Sequence, residues 1–163
     1  MIVLIISYAF AALQPEKIFE APQFKRNIYY QEGMVVGGDG SIKNIIVHGM
    51  RYSKNQNYER LVIDLQENIH GDPSPLIQVP YYQLALLPDY HRLTLTLWGN
   101  PQLLFAKDKV LASIKTSPTL ESIELLPVLD DKTWTFILHT KKAASAEIFS
   151  LSARLIIDLK LEK

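Results

Sequence analysis

The sequence contains no cysteine. Disulfides, thiolate metal sites and thiol nucleophiles are thereby excluded, and the composition fits either the cytosol or an envelope protein that avoids disulfide chemistry. An excess of one charge is missing too: 17 Lys and Arg residues stand against 17 Asp and Glu. With no concentrated basic patch, nothing draws the chain toward nucleic acid, which is not an expected partner. No apolar run approaches the roughly 20 residues that cross a bilayer as a helix, so no permanent transmembrane span is expected. Helical patterning is scarce, and only residues 106–115 carry it. The chain has no Gly-x-Ser-x-Gly elbow, so no serine nucleophile is proposed. His48, His70, His91 and His139 lack the close spacing of a zinc motif, so no metal or other cofactor is expected.

What is present is strand. At 163 residues and 48% hydrophobic, the chain is long enough for one domain with a real core. Its most informative feature is a repeated hexapeptide, Arg60-Leu61-Val62-Ile63-Asp64-Leu65 and Arg154-Leu155-Ile156-Ile157-Asp158-Leu159. Alternation places Leu61, Ile63 and Leu65 on one face and Arg60, Val62 and Asp64 on the other, and the second copy divides the same way. Leu93, Leu95 and Leu97 alternate with Arg92, Thr94, Thr96 and Trp98. Trp134, Phe136 and Leu138 alternate with Thr133, Thr135, Ile137 and His139.

Residues 1–12, MIVLIISYAFAA, form a short apolar run ending in the small-x-small triplet Ala9-Phe10-Ala11, so residues 1–11 are expected to be a signal peptide. No basic residue precedes the run, and residues 2–6 also read as a buried strand. Residues 12–42 are expected to form a strap and a hairpin. Pro15 and Pro22 interrupt residues 13–26, and a strand at 27–36 is expected to turn at Gly37-Gly38-Asp39-Gly40 into a strand at 42–52. This glycine run lacks the lysine and hydroxyl residue of a phosphate loop.

A hairpin is expected from residues 45–52 through a polar turn at 53–57 into 58–65, then a polar loop at 66–75 and strands at 76–87 and 92–98. The remainder reads as strands at 122–129, 133–140, 146–151 and 154–160. Aligning 45–65 with 122–140 and 81–98 with 146–160 divides the chain into two similar halves, with Arg92 the counterpart of Arg154. The expected fold is all-β, a β-sandwich of two similar antiparallel sheets joined by one short helix, each half supplying roughly one sheet.

The stretch Val47-His48-Gly49-Met50-Arg51-Tyr52 followed by Tyr58-Glu59-Arg60-Leu61-Val62-Ile63-Asp64-Leu65, and the closing run Phe149-Ser150-Leu151-Ser152-Ala153-Arg154-Leu155-Ile156-Ile157-Asp158-Leu159, resemble the opening hairpin and closing strand of AMIN domains. These domains accompany bacterial cell-wall amidases and pilus secretins. Residues 87–97 are a weaker third match, with Thr96 in place of the aspartate. The resemblance covers about residues 43–160, so that 43–163 is expected to be the domain. It implies a periplasmic β-sandwich that localises to the cell wall and binds peptidoglycan or an envelope protein. It carries over no enzymatic role.

Asp64 and Asp158 are weighed as a carboxylate pair for glycoside cleavage, which needs two carboxylates about 5 to 10 Å apart. Their place on regular strands beside arginines favours cross-strand ion pairs instead, and the chain is not expected to be an enzyme. The candidate binding residues are Arg60, Asp64, Arg92, Trp98, Arg154 and Asp158. Arginine offers paired donors to the carboxylates of peptide stems, and an exposed tryptophan covers a sugar ring. The plainer reading is that these charges solubilise a sheet and that Trp98 caps a core edge. The expected function is a non-catalytic envelope module that binds peptidoglycan. The rival is a structural adaptor of a pilus or secretion assembly that pairs a partner strand along an edge such as residues 27–36.

Overall fold

The structure, a computed structural model, describes residues 17–127 and 132–162. The expected signal peptide lies outside the described residues. Strands β1 (Ile18–Glu20), β2 (Gly33–Gly37), β3 (Ile45–Lys54), β4 (Glu59–Ile69), β5 (Asp72–Pro75), β6 (Tyr82–Leu87) and β7 (Arg92–Trp98) precede the short β8 (Gln102–Leu103). Helix α1 (Lys107–Ile114) then leads to β9 (Leu120–Pro127), β10 (Thr133–Thr140), β11 (Ala144–Leu151) and β12 (Arg154–Leu161).

The strands build a sandwich of two sheets. Sheet A runs β1-β2-β6-β7-β10-β9, and sheet B runs β11-β12-β4-β3-β8 with β5 extending the β4 ladder. The apolar alternation fills the space between them: Leu61, Ile63, Leu65, Leu155 and Ile157 of sheet B meet Leu84, Leu95, Leu97, Phe136 and Leu138 of sheet A. Val110 and Ile114 of α1 join the same core, and α1 packs against both β3 and β9. Both sheets are mixed rather than wholly antiparallel, because β1 pairs parallel with β2 and β8 pairs parallel with β3.

Each half of the chain contributes a hairpin to both sheets, not one sheet each. Hairpin β3–β4 lies in sheet B and β6–β7 in sheet A, whereas β9–β10 lies in sheet A and β11–β12 in sheet B. At the centre of sheet B, β4 pairs antiparallel with β12; at the centre of sheet A, β10 pairs antiparallel with β7. The halves thus exchange roles, with β4 corresponding to β10 and β12 to β7. This agrees with the alignment that equates Arg154 with Arg92.

The expected hairpin across Gly37-Gly38-Asp39-Gly40 does not form, because β2 and β3 belong to different sheets. The turn is a crossover. Asp39 Oδ1 accepts hydrogen bonds from the backbone N–H of Ser41 at 2.8 Å and its hydroxyl at 2.7 Å, and the Asp39 backbone bridges to Pro80. Gly38 is required there: its φ is +81°, and a Cβ would lie 2.0 Å from the Pro80 carbonyl oxygen. Residues 27–36 do not form an edge strand either, since β2 is flanked by β1 and β6. Within the expected strand 76–87, only Tyr82–Leu87 forms a strand, and Pro80 before it makes an isolated bridge to Asp39. Within the expected loop 66–75, Asp72–Pro75 pairs with the end of β4, and its two prolines suit the short edge strand it forms.

Candidate binding surface

The two copies of the hexapeptide lie side by side and antiparallel. In this register Asp158 stands opposite Arg60, Ile156 opposite Val62, and Arg154 opposite Asp64, all on the outer face of sheet B. Antiparallel pairing of Arg-x-x-x-Asp with itself must bring each arginine to the other copy's aspartate. The repeat is self-complementary for this reason.

At one end, Arg60 grips Asp158 bidentately, with Nε donating to Oδ1 at 2.6 Å and Nη2 to Oδ2 at 2.8 Å. Lys25 donates to Oδ2 from the same side at 2.5 Å. Lys25 comes from the crossover between β1 and β2, which wraps the β11 edge through reciprocal backbone hydrogen bonds between Tyr30 and Ala146. This strap seals the site, and the Asp158 side chain is 0% exposed. Glu147, directly opposite Asp158 on β11, is also buried; its Oε1 accepts the Arg26 backbone N–H, while Oε2 has no hydrogen-bond partner. Two cations therefore converge on the buried Asp158 carboxylate, with the buried Glu147 across from it on β11. Tyr58 carries both cations, with Lys25 Nζ 3.7 Å and the Arg60 guanidinium carbon 5.1 Å from its ring centroid. Burial lowers the Lys25 pKa, but the hydrogen bond and charge of Asp158 outweigh it, and the net direction is upward. Burial raises the Tyr29 phenol pKa, with Lys25 opposing.

At the other end the site is open. Asp64 accepts two hydrogen bonds of 2.8 Å from Arg51 on β3, and Arg154 Nε lies 3.2 Å from Oδ1. The side chains of Arg51 and Arg154 are 59% and 55% exposed, against 15% for Asp64. Two guanidinium groups thus converge on one carboxylate, leaving one net positive charge and unused N–H donors facing solvent. A register shift in β3 between Val47 and Gly49 places Gly49 opposite Asp64, where a Cβ would stand 2.9 Å from Oδ2. The absence of a side chain makes room for the carboxylate.

The remaining candidates are elsewhere. Arg92 and Trp98 sit at opposite ends of β7 on the outer face of sheet A, roughly 20 Å apart by strand rise. Trp98 is half-buried against Tyr81, with ring centroids 5.1 Å apart, and Arg92 stands over the Tyr90 ring at 5.6 Å. The six residues therefore form two pairs on one face and two separate single residues on the opposite face. Asp64 and Asp158 are themselves four residues apart along the paired ladder, roughly 13 Å, beyond the separation at which two carboxylates share a glycosidic bond.

Arg51, Lys25 and Glu147 were not among the sequence candidates. Arg51 was within reach, because the turn at 53–57 sets it opposite Val62 and diagonal to Asp64. Lys25 carries no local signal; it meets Asp158 across 133 residues of chain. The chain matches no family model and no curated protein.

Proposed function

We propose that this chain is a non-catalytic module of the bacterial cell envelope that binds peptidoglycan through the open Arg51, Asp64 and Arg154 corner. The observation that carries this reading is the exposed surplus of guanidinium donors there. Asp64 fixes both arginines on a rigid sheet while satisfying only part of their hydrogen-bonding capacity. A peptide-stem carboxylate offers the planar pair of acceptors that such a fork takes. The AMIN resemblance supports the choice of ligand and a periplasmic location. The outer face of sheet A, with its half-buried Trp98, does not contribute to this corner.

Co-sedimentation of the full chain with isolated sacculi tests the reading. The wild type is expected in the pellet at moderate salt, Arg51→Ala and Arg154→Ala are each expected to lower retention several-fold, and Arg92→Ala is expected to leave it unchanged. No enrichment over a control protein of similar charge sinks the peptidoglycan reading.

A further inference from the structure

We propose that the free edge of β3, beside α1, accepts an extended acidic segment of a partner protein as an added β-strand. β3 pairs with β4 along its length, but on its other side β8 covers only Ile46 and Val47, where Leu104 N–H donates to the Val47 carbonyl at 2.9 Å. From Gly49 to Lys54 the strand is hydrogen-bonded on one side only among the described residues. That length matches an ordinary strand, and an unpaired edge presents a row of backbone donors and acceptors that another strand satisfies. No proline blocks it.

A groove of about 600 Å³ runs along this edge. Met50, Phe105 and Val110 give it an apolar floor, exposed Leu104 forms a rim, and Arg51 and Lys109 flank it. A strand lying in the groove would turn alternate side chains toward that floor, the pattern by which strand addition acquires specificity. The charge around it is unbalanced. Arg51, Lys54 and Lys109 are all exposed, Asp64 is already shared by two arginines, and neither Lys54 nor Lys109 makes an ion pair among the described residues.

Charge also decides between occupants. A second copy pairing edge to edge would oppose Arg51 and Lys54 to their own counterparts, which disfavours self-association. A glycan strand lacks the regular amide ladder the edge calls for. An extended segment alternating acidic and apolar residues satisfies backbone, floor and rim together. The groove shares Arg51 and Asp64 with the wall-binding corner, whereas Lys109 and the free backbone edge belong to the groove alone.

The test is titration of the full chain with a fluorescently labelled, end-blocked decapeptide of alternating Glu and Val, with its Lys/Val counterpart and with a Glu/Val version methylated on alternate amide nitrogens. Saturable binding of the first is expected, with the other two weaker by at least about tenfold. Lys109→Glu is expected to weaken binding of the acidic peptide roughly tenfold, and Arg92→Ala, on the opposite face of the molecule, to leave it unchanged. Hydrogen exchange reports the site directly: amides within residues 49–54 slow when the acidic peptide is bound. Equal affinity for acidic and basic peptides, full binding by the methylated peptide, or binding without slowed exchange at 49–54 overturns the proposal. So does protection of these amides by soluble muropeptides but not by the acidic peptide.

Discussion

The two ends of the paired hexapeptides begin from the same chemistry and finish in opposite states. Arg60–Asp158 is a bidentate pair under a strap, joined by Lys25, with its carboxylate closed to water. Arg154–Asp64 is its counterpart by register, yet it faces solvent and takes Arg51 as a third member. The difference comes from what covers each end and not from the hexapeptide. A salt bridge of one sequence thus acts as a buried structural clamp at one end and as a solvent-exposed pair at the other, because desolvation multiplies the consequence of losing a partner.

Substitution at the two aspartates breaks or upholds that comparison most sharply. Asp158→Ala strands Arg60 and Lys25 beneath the strap and is expected to cost about 3 kcal/mol in urea unfolding. Asp64→Ala, at the exposed end, is expected to cost less than about 1 kcal/mol. Equal losses would mean that the strap does not set the difference. Next in size is Lys25→Met, expected to cost about 1 kcal/mol near neutral pH through loss of a charge-assisted hydrogen bond to a buried carboxylate.

The same variant has a pH signature. A group whose pKa is raised by folding stabilises the fold below its unfolded value, and that contribution is lost as pH rises through the folded value. Lys25 and Tyr29 are both raised, from ordinary values of 10.5 and 10.0, so stability at the sealed end declines as pH climbs above those values. Lys25→Met should flatten part of that decline in urea midpoints measured from about pH 9 to 12. An unchanged slope would remove Lys25 from the clamp. The smallest effect is expected from Gly49→Ala. Its methyl group displaces the flexible Asp64 carboxylate at a cost of about 0.5 to 1 kcal/mol, read as a small drop in melting temperature.

Period-2 alternation made the inward rows of β4, β7, β10 and β12 legible, since a buried face must be written in the residues that fill it. Helix α1 was also legible, within a residue at each end. The assignment of hairpins to sheets was not. Gly37 to Gly40 reads equally well as a hairpin turn or as a crossover, and the placement of β2 and β3 in different sheets distinguishes them. The Arg and Asp of the repeat were legible as ion-pair partners, because antiparallel pairing of two copies demands it. Their unequal burial was hidden, since the strap's Lys25 and Tyr30 reach β12 and β11 from the distant N-terminal part of the chain. Arg92 and Trp98 shared the same outward pattern, yet outward on sheet A is the opposite side of the molecule from outward on sheet B.

The exchange of hairpins between sheets bears on how the molecule assembles. The central partners, β4 with β12 and β7 with β10, come from opposite halves of the chain, so neither sheet acquires its middle until both halves are present. Closing such distant pairings is slow compared with forming a local hairpin. Each half alone would expose an uncompleted strand edge in both of its hairpins. Two fragments divided near Phe105 are accordingly expected to be unfolded apart and to regain the fold only as a complex, each serving as the template for the other.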